Sequence, residues 1–263
     1  MFGAGRALLL QLAHPHVAAG VDEHSDFQSN PFKRLLGTLE AVYTMVYGTK
    51  DDAAGVGRRI RWIHDFVSGP AYQANDPQNL LWVHATLADS ALASYERIVG
   101  PLSTEERETY YQEMTVVAEA FGCPRSDQPA TFADYQDYWD EQVRTMQVTD
   151  VGRKLAADII HPKLPLGLHW PLWPTLAVFR LATIGTLPEP IREQFGFTWD
   201  AARQRRLDRI FGLARAYTRV TPRFLRVGPV HLNGRFVLLR LARKHIAEFD
   251  QKMAGRAEAV TAA

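Results

Sequence analysis

The chain has little cysteine, little lysine and no long apolar run. Cys123 is its single cysteine among 263 residues, which excludes an internal disulfide and a cysteine-cluster metal site. One thiol is typical of a reducing, intracellular setting. Thirty Lys and Arg stand against 29 Asp and Glu, a formal net charge of +1. Bulk charge therefore gives no support to a nucleic-acid partner.

No stretch reaches the roughly 18 consecutive apolar residues that a membrane-spanning helix needs. The apolar block after Arg6 is short and is soon interrupted by Gln11 and His14, so we predict neither a signal peptide nor a transmembrane segment. We expect a cytoplasmic location. Because the chain starts inside a helical pattern, we also expect that a further segment can precede it.

Several catalytic signatures are missing from the sequence. It contains no pair of Glu-x-x-His motifs for a di-iron bundle, and no His-Glu-x-x-His zinc motif. It also lacks the Gly-x-Ser-x-Gly elbow, the phosphate-binding Gly-x-x-x-x-Gly-Lys and a dinucleotide fingerprint. Hydrolase, kinase and nicotinamide-enzyme functions therefore lose their usual sequence support.

Helix signals dominate the chain, and few segments alternate as strands do. We predict one all-α domain of about ten helices over residues 1–253, with 254–263 as a frayed tail. Pro15 is expected to kink the first helix. Asn30 should cap a helix from Pro31 to Tyr47. The proline- and tryptophan-rich segment 161–174 is expected to be a packed connection or a lid.

The next predicted helix begins at Asp51 and Asp52 and is ended by Gly69 and Pro70. Its apolar stripe carries one histidine, His64, and comprises Val56, Ile60, Ile63, His64 and Val67. A helix-borne histidine that faces an apolar interior suits an axial haem ligand, but also a hydrogen-bonded core residue. His84, on the predicted inner face of its own helix, competes with His64 as a ligand.

Two further positions are candidates for a pocket. Arg34 and Thr38, at i and i+4, share one helical face and could pair with a propionate or bound oxygen, or could be a solvated Arg and a Thr bonded to its own helix. Glu23 and Asp22 are the nearest upstream carboxylates for acid–base chemistry, although turns are rich in such residues.

Four runs of the sequence carry a family resemblance. They are GRALLLQLAHPHVAAGVDEHS, NPFKRLLGTLEAVYTMVYGT, WIHDFVSG and DPQNLLWVHATLADS, and in order and spacing they resemble the MpaB-type oxygenases and latex-clearing rubber oxygenases. The resemblance covers about Gly5 to Trp199. It implies an all-α, globin-reminiscent bundle around haem b that uses dioxygen to cleave carbon–carbon double bonds in isoprenoid chains.

The resemblance also implies roles for individual residues. His64 matches the proximal iron ligand, Arg34 and Thr38 match the family's Arg-x-x-x-Thr helix, and Glu23 loosely matches its catalytic glutamate. Rubber oxygenases carry a lysine immediately before that threonine, whereas this chain has Gly37. A lysine-capped distal iron is therefore not expected, and the secreted rubber-cleaving activity is not expected either.

The resulting hypothesis is a haem b-dependent oxygenase that acts with dioxygen on a hydrophobic, isoprenoid or lipid-like small molecule. His64 would bind the iron, Arg34 and Thr38 would shape the cofactor environment, and Glu23 would act as a base. The alternatives are a non-catalytic haem-binding sensor or carrier, and a haem-free helical lipid-binding protein.

Overall fold

A computed structural model describes residues 2–24, 31–162, 166–222, 225 and 229–261. At 2, 31–36, 166–172, 229–235 and 256–261 it describes the backbone alone. Twelve α-helices lie in these residues, which confirms the all-α prediction. No helix in this part of the chain is long and apolar enough to cross a membrane. The helices are α1 Phe2–Ala13, α2 Pro15–His24, α3 Pro31–Tyr47, α4 Lys50–His64, α5 Pro77–Ile98, α6 Thr104–Ala120, α7 Phe132–Thr145, α8 Asp150–Ile160, α9 Leu166–Gly185, α10 Glu189–Gln194, α11 Ala201–Val220 and α12 Pro229–Thr261.

Side-chain caps fix where several helices begin. Ser103 accepts a hydrogen bond from the Glu106 amide while Glu106 accepts one from the Ser103 amide, the reciprocal capping box that the sequence predicts. Thr49 and Thr131 head the same arrangement at α4 and α7. Asp76 caps α5, with Pro77 in the first turn. Helix α4 begins at Lys50, one residue before the predicted Asp51. Helix α3 has the predicted bounds, and its predicted cap, Asn30, lies outside the described residues.

The predicted end of α4 is wrong. The helix stops at His64, before Gly69 and Pro70, and the chain forms a small hairpin of β1 Ser68–Gly69 and antiparallel β2 Tyr72–Gln73. The Asn75 side chain donates to the Arg61 carbonyl at 3.1 Å. The same carbonyl accepts from the Asp65 amide at 3.0 Å, so the Asn75 side chain adds a second hydrogen bond that ties the following segment to the helix end.

The segment 161–174 is also not the separate connection or lid that we predicted. Residues 166–174 form the first half of α9. The second half of α9 is anchored in the core, where Ala182 and Thr183 are fully buried, and this packing outweighs the local cost of proline in a helix. Pro15 was predicted to kink the first helix. It instead separates two helices, because it is the first residue of α2.

Helix α1 is the centre of the core. Leu9, Leu10 and Ala13 have no exposed surface, and α1 packs against α2, α5, α8 and α9. The indole of Trp82, on α5, donates to the Leu10 carbonyl at 3.0 Å and stacks on Trp139. Burying side chains this fully is the main favourable contribution to folding.

A buried guanidinium lies within this apolar centre. Arg6 is 5% exposed and forms an ion pair with Asp89. Its Nε donates to the Thr186 carbonyl at 2.8 Å and its Nη1 to Ser90 Oγ at 2.9 Å. Arg6 thus joins α1 to α5 and to the end of α9, and its donors satisfy groups that would otherwise be costly to bury.

We expect Arg6→Met to lower the free energy of unfolding by about 3–5 kcal/mol, because it leaves the Asp89 carboxylate buried without its cation. The measurement is urea unfolding followed by circular dichroism. The matched control is Arg144→Met, which removes an exposed ion pair with Glu141 and should cost less than about 1 kcal/mol. Equal losses in the two variants would contradict this account of Arg6.

Candidate functional site

Helices α3 and α4 form an antiparallel hairpin joined by Gly48 and Thr49. Arg59 on α4 donates to the Glu40 carboxylate on α3 at 3.1 Å, which holds the two helices side by side. At about 1.5 Å per residue, the backbones of Arg34 and His64 lie roughly 22 Å and 23 Å from the turn. The fold therefore brings these two predicted site residues to the same level on neighbouring helices.

Helix α12 packs along both members of this hairpin. Its His245 Nδ1 donates to the buried Glu40 carboxylate at 2.9 Å, and Arg243 pairs with Asp52 at the start of α4. Gly55 allows close approach, since a Cβ there would lie 2.8 Å from Cγ2 of Ile246. Contacts from α12 thus hold α3 and α4 together in a three-helix bundle.

His64 is the last residue of α4 and is half-buried, with its Nδ1 atom shielded from solvent. The predicted apolar stripe around it holds only in part. Val56 is buried, whereas Ile63 is 40% exposed. Val67 lies beyond the helix, where its amide donates to the His64 carbonyl. His64 therefore lies at the boundary between a helix end and a turn.

Glu23 reaches the hairpin that follows His64. Tyr72, on β2, donates its hydroxyl to Glu23 Oε2 at 2.7 Å, and His24 Nε2 lies 3.1 Å from the Ser68 carbonyl. Burial and the hydrogen bond to Glu23 together raise the pKa of Tyr72 to about 12, so the phenol stays protonated and donates. Glu23 is exposed, and its hydrogen bond with Tyr72 holds α2 against the hairpin.

Arg34 and Thr38 lie one turn apart on α3, as predicted, and the side chain of Arg34 lies outside the described atoms. Thr38 is exposed, and this exposure gives no support to the predicted position facing a pocket. At Gly37 a Cβ would meet nothing within 4 Å. The difference from the lysine of rubber oxygenases is therefore not imposed by packing.

His84 is the most unusual histidine in the described chain. It is 6% exposed, and neither ring nitrogen has a hydrogen-bond partner among the described residues. Burial lowers its pKa to about 4, so the ring is neutral at pH 7 and has a free lone pair. Buried polar groups without partners are rare in native proteins, which keeps His84 as the second candidate ligand.

Among the described residues, no three His, Cys, Asp or Glu side chains converge as a metal-binding group. A haem does not require such a cluster, because the porphyrin supplies four nitrogen ligands and the protein adds one axial donor. A single histidine such as His64 or His84 is sufficient for that role.

Sequence reasoning missed two residues that organise this region. Tyr72 holds the Glu23 carboxylate, and Glu40 joins α3, α4 and α12. The Gly69-Pro70 turn before Tyr72 was a usable hairpin signal. Glu40 had no local signal, because a carboxylate on a predicted helix is normally solvated.

The depressed pKa of His84 gives a pH-dependent stability. In the unfolded chain the ring protonates near 6.5 and in the folded chain near 4, so its contribution is complete above pH 6.5 and is lost as the pH falls toward 4. We expect the full loss to be about 3 kcal/mol. His84→Leu should reduce the dependence in urea unfolding measured across this range and leave the part contributed by His14, whose pKa burial also lowers to about 4, whereas the exposed His161→Leu should leave it unchanged. Parallel profiles for His84→Leu and the unsubstituted chain would contradict the assignment.

Comparison with known proteins identifies the family of the chain. The chain is 28% identical over 227 residues to the uncharacterised proteins Rv2237 of Mycobacterium tuberculosis and Mb2261 of Mycobacterium bovis, covering 82% of this chain and 87% of each relative. No solved structure matches the chain. Residues 1–216 match the family described as ER-bound oxygenase mpaB/B′/rubber oxygenase, catalytic domain. The chain therefore belongs to this oxygenase catalytic-domain family.

Proposed function

We propose that the protein is a haem b-dependent oxygenase that acts with dioxygen on a hydrophobic, isoprenoid or lipid-like small molecule. The observation that carries the proposal is the α3–α4 hairpin, which sets the backbones of Arg34 and His64 at one level. Membership of an oxygenase family supports the reaction class. We further propose that residues 1–253 act as one domain and that the protein works in the cytoplasm.

We assign the haem site to residues on α3 and α4. His64 ends α4 and is half-buried, with its Nδ1 shielded from water, a partly enclosed position that suits an imidazole ligand. We assign Arg34 to a haem propionate, since planar forks of donors match carboxylates. Thr38 would then contribute a hydroxyl from the next turn of the same helix.

When bound, the haem supplies the oxygen chemistry, and the protein supplies binding, orientation and proton control. We assign Glu23 the role of a base that takes a proton near the substrate. Its position is set by the Tyr72 hydroxyl at 2.7 Å, which stabilises the carboxylate at the end of α2. The hairpin between His64 and Tyr72 fixes the spacing of the proposed iron ligand and the proposed base.

We expect His64→Ala to lose most of the haem that the unsubstituted chain retains, because the axial bond is removed. The measurement is the Soret absorbance of purified protein, oxidised and dithionite-reduced, after hemin addition and gel filtration. His161→Ala is the matched control and should retain haem. Full retention by His64→Ala would contradict the assignment.

The same experiment separates the alternatives. Loss of haem in His84→Leu but not in His64→Ala would assign the iron ligand to His84 instead of His64. Binding of gases by the haem without any product from unsaturated lipids would favour the sensor or carrier. Absence of a haem signal in the unsubstituted chain would favour a haem-free lipid-binding protein.

Glu23→Gln tests the proposed base. The amide oxygen can still accept from Tyr72, but the group can no longer take a proton, so product formation should fall by roughly a hundredfold or more while the haem spectrum stays unchanged. The measurement is oxygen consumption and carbonyl product from squalene. Tyr72→Phe, which keeps the carboxylate, should have a smaller effect. Equally small effects in both variants would contradict the role of Glu23 as a base and leave it only the structural contact with the hairpin.

A further inference from the structure

The overall charge of +1 conceals a strong division along the chain. Residues 201–245 carry twelve Arg and Lys and a single acidic residue, Asp208. The rest of the chain carries 18 basic and 28 acidic residues. This basic segment comprises α11, the following connection and the first half of α12, and most of it lies beyond the family match, which ends at residue 216.

Helix α11 displays this charge together with exposed apolar side chains on one stripe. Arg206, Arg209, Leu213, Tyr217 and Val220 follow one another at spacings of three and four, which places them on one helical face. Leu213 is 73% exposed and Val220 is 79% exposed. The opposite face, with Leu207 and Phe211, is buried, so the stripe is the outer face of a firmly packed helix.

The first half of α12 has a second stripe of the same kind. Phe236 is 70% exposed and Val237 is 57% exposed, and the exposed Arg240 lies one turn further on. The contact of His245 with Glu40 sets the register between α12 and antiparallel α3, so Val46, 61% exposed, lies at a similar level. Helices α3 and α12 thus each expose an apolar side chain at this level of the bundle.

In the chain between the two helices, Leu225 is a further apolar side chain that is 57% exposed. The basic residues are available, because Arg209, Arg219 and Arg240 have no ion-pair partner within 4 Å in the described part of the chain. Exposed apolar side chains on the same helices as arginines that have no ion-pair partner among the described residues suit a partner that is both apolar and negatively charged.

We propose that α11 and the first half of α12 form a docking surface for the face of an anionic lipid bilayer. Leu213, Val220 and Phe236 would enter the headgroup and acyl boundary while the surrounding arginines pair with lipid phosphates, as in interfacial amphipathic helices. Nucleic acid is the less suitable partner, because exposed aliphatic groups gain little from a phosphate backbone. The inference is independent of the proposed oxygenase function.

The test is flotation of the full chain with vesicles of phosphatidylcholine alone and of equal parts phosphatidylcholine and phosphatidylglycerol, at low and high salt. We expect binding to the anionic vesicles only, weakened by salt. The double variant Arg209→Gln, Arg240→Gln should lower the partition coefficient into anionic vesicles by roughly thirtyfold, because each charge contributes a factor of about five. Phe236→Ser with Val237→Ser should lower it by roughly tenfold or more.

Matched controls lie on other helices. Val116→Ser removes an exposed apolar residue of α6, which is 61% exposed, and Arg144→Gln removes an exposed arginine of α7; neither should change binding. Circular dichroism confirms that each variant folds. Absence of vesicle binding, equal binding to neutral vesicles, or equal loss in the controls overturns the proposal. Salt-sensitive binding to a DNA duplex without vesicle binding, or a dimer that Phe236→Ser with Val237→Ser dissociates, overturns it in favour of that partner.

Discussion

The burial of α1 is the constraint on which the rest of the fold depends. A helix surrounded by others must satisfy every polar group it carries, and Arg6 does so through Asp89, Ser90 and Thr186. Gly5 lies where a Cβ would overlap the Thr183 side chain, so α9 approaches the α1 backbone directly. With α1 fixed in this way, α2 leaves it at Pro15 in a defined direction and carries Glu23 to the hairpin after His64.

A second constraint sets the geometry of the candidate site. Glu40 is 5% exposed and carries a carboxylate that accepts from Arg59 and His245. A buried carboxylate is tolerated when it is paired and hydrogen-bonded, so the position of this one group fixes α3, α4 and α12 relative to one another. Because α3 and α4 are held side by side, residues 30 apart in sequence, Arg34 and His64, come to one level.

The sequence determined the helices wherever a local signal was decisive. The capping residues Ser103 and Thr131 marked helix starts correctly because a cap is read from the residues beside it. Tertiary contacts decided the other cases. Tyr95 lies on the same helical stripe as the buried His84 but is 46% exposed, since periodicity does not reveal which part of a stripe finds a neighbour. The pairing of Tyr72 with Glu23 joins positions 49 apart, and no local pattern encodes such a contact. The family pattern identified Arg34, Thr38 and His64 as candidates but carried no information on their exposure.

Helix α12 contributes both to the candidate site and to the proposed bilayer contact, because its two faces differ. Its inner face presents Arg243, His245 and Ile246 to α3 and α4, and its outer face presents Phe236 and Arg240 to solvent. Phe236 and His245 are nine residues apart, or roughly 14 Å along the helix. The helix that holds the proposed haem hairpin in register is therefore the one that carries the proposed bilayer contact. That contact lies near the turn between α3 and α4, roughly 20 Å along the bundle from the level of Arg34 and His64.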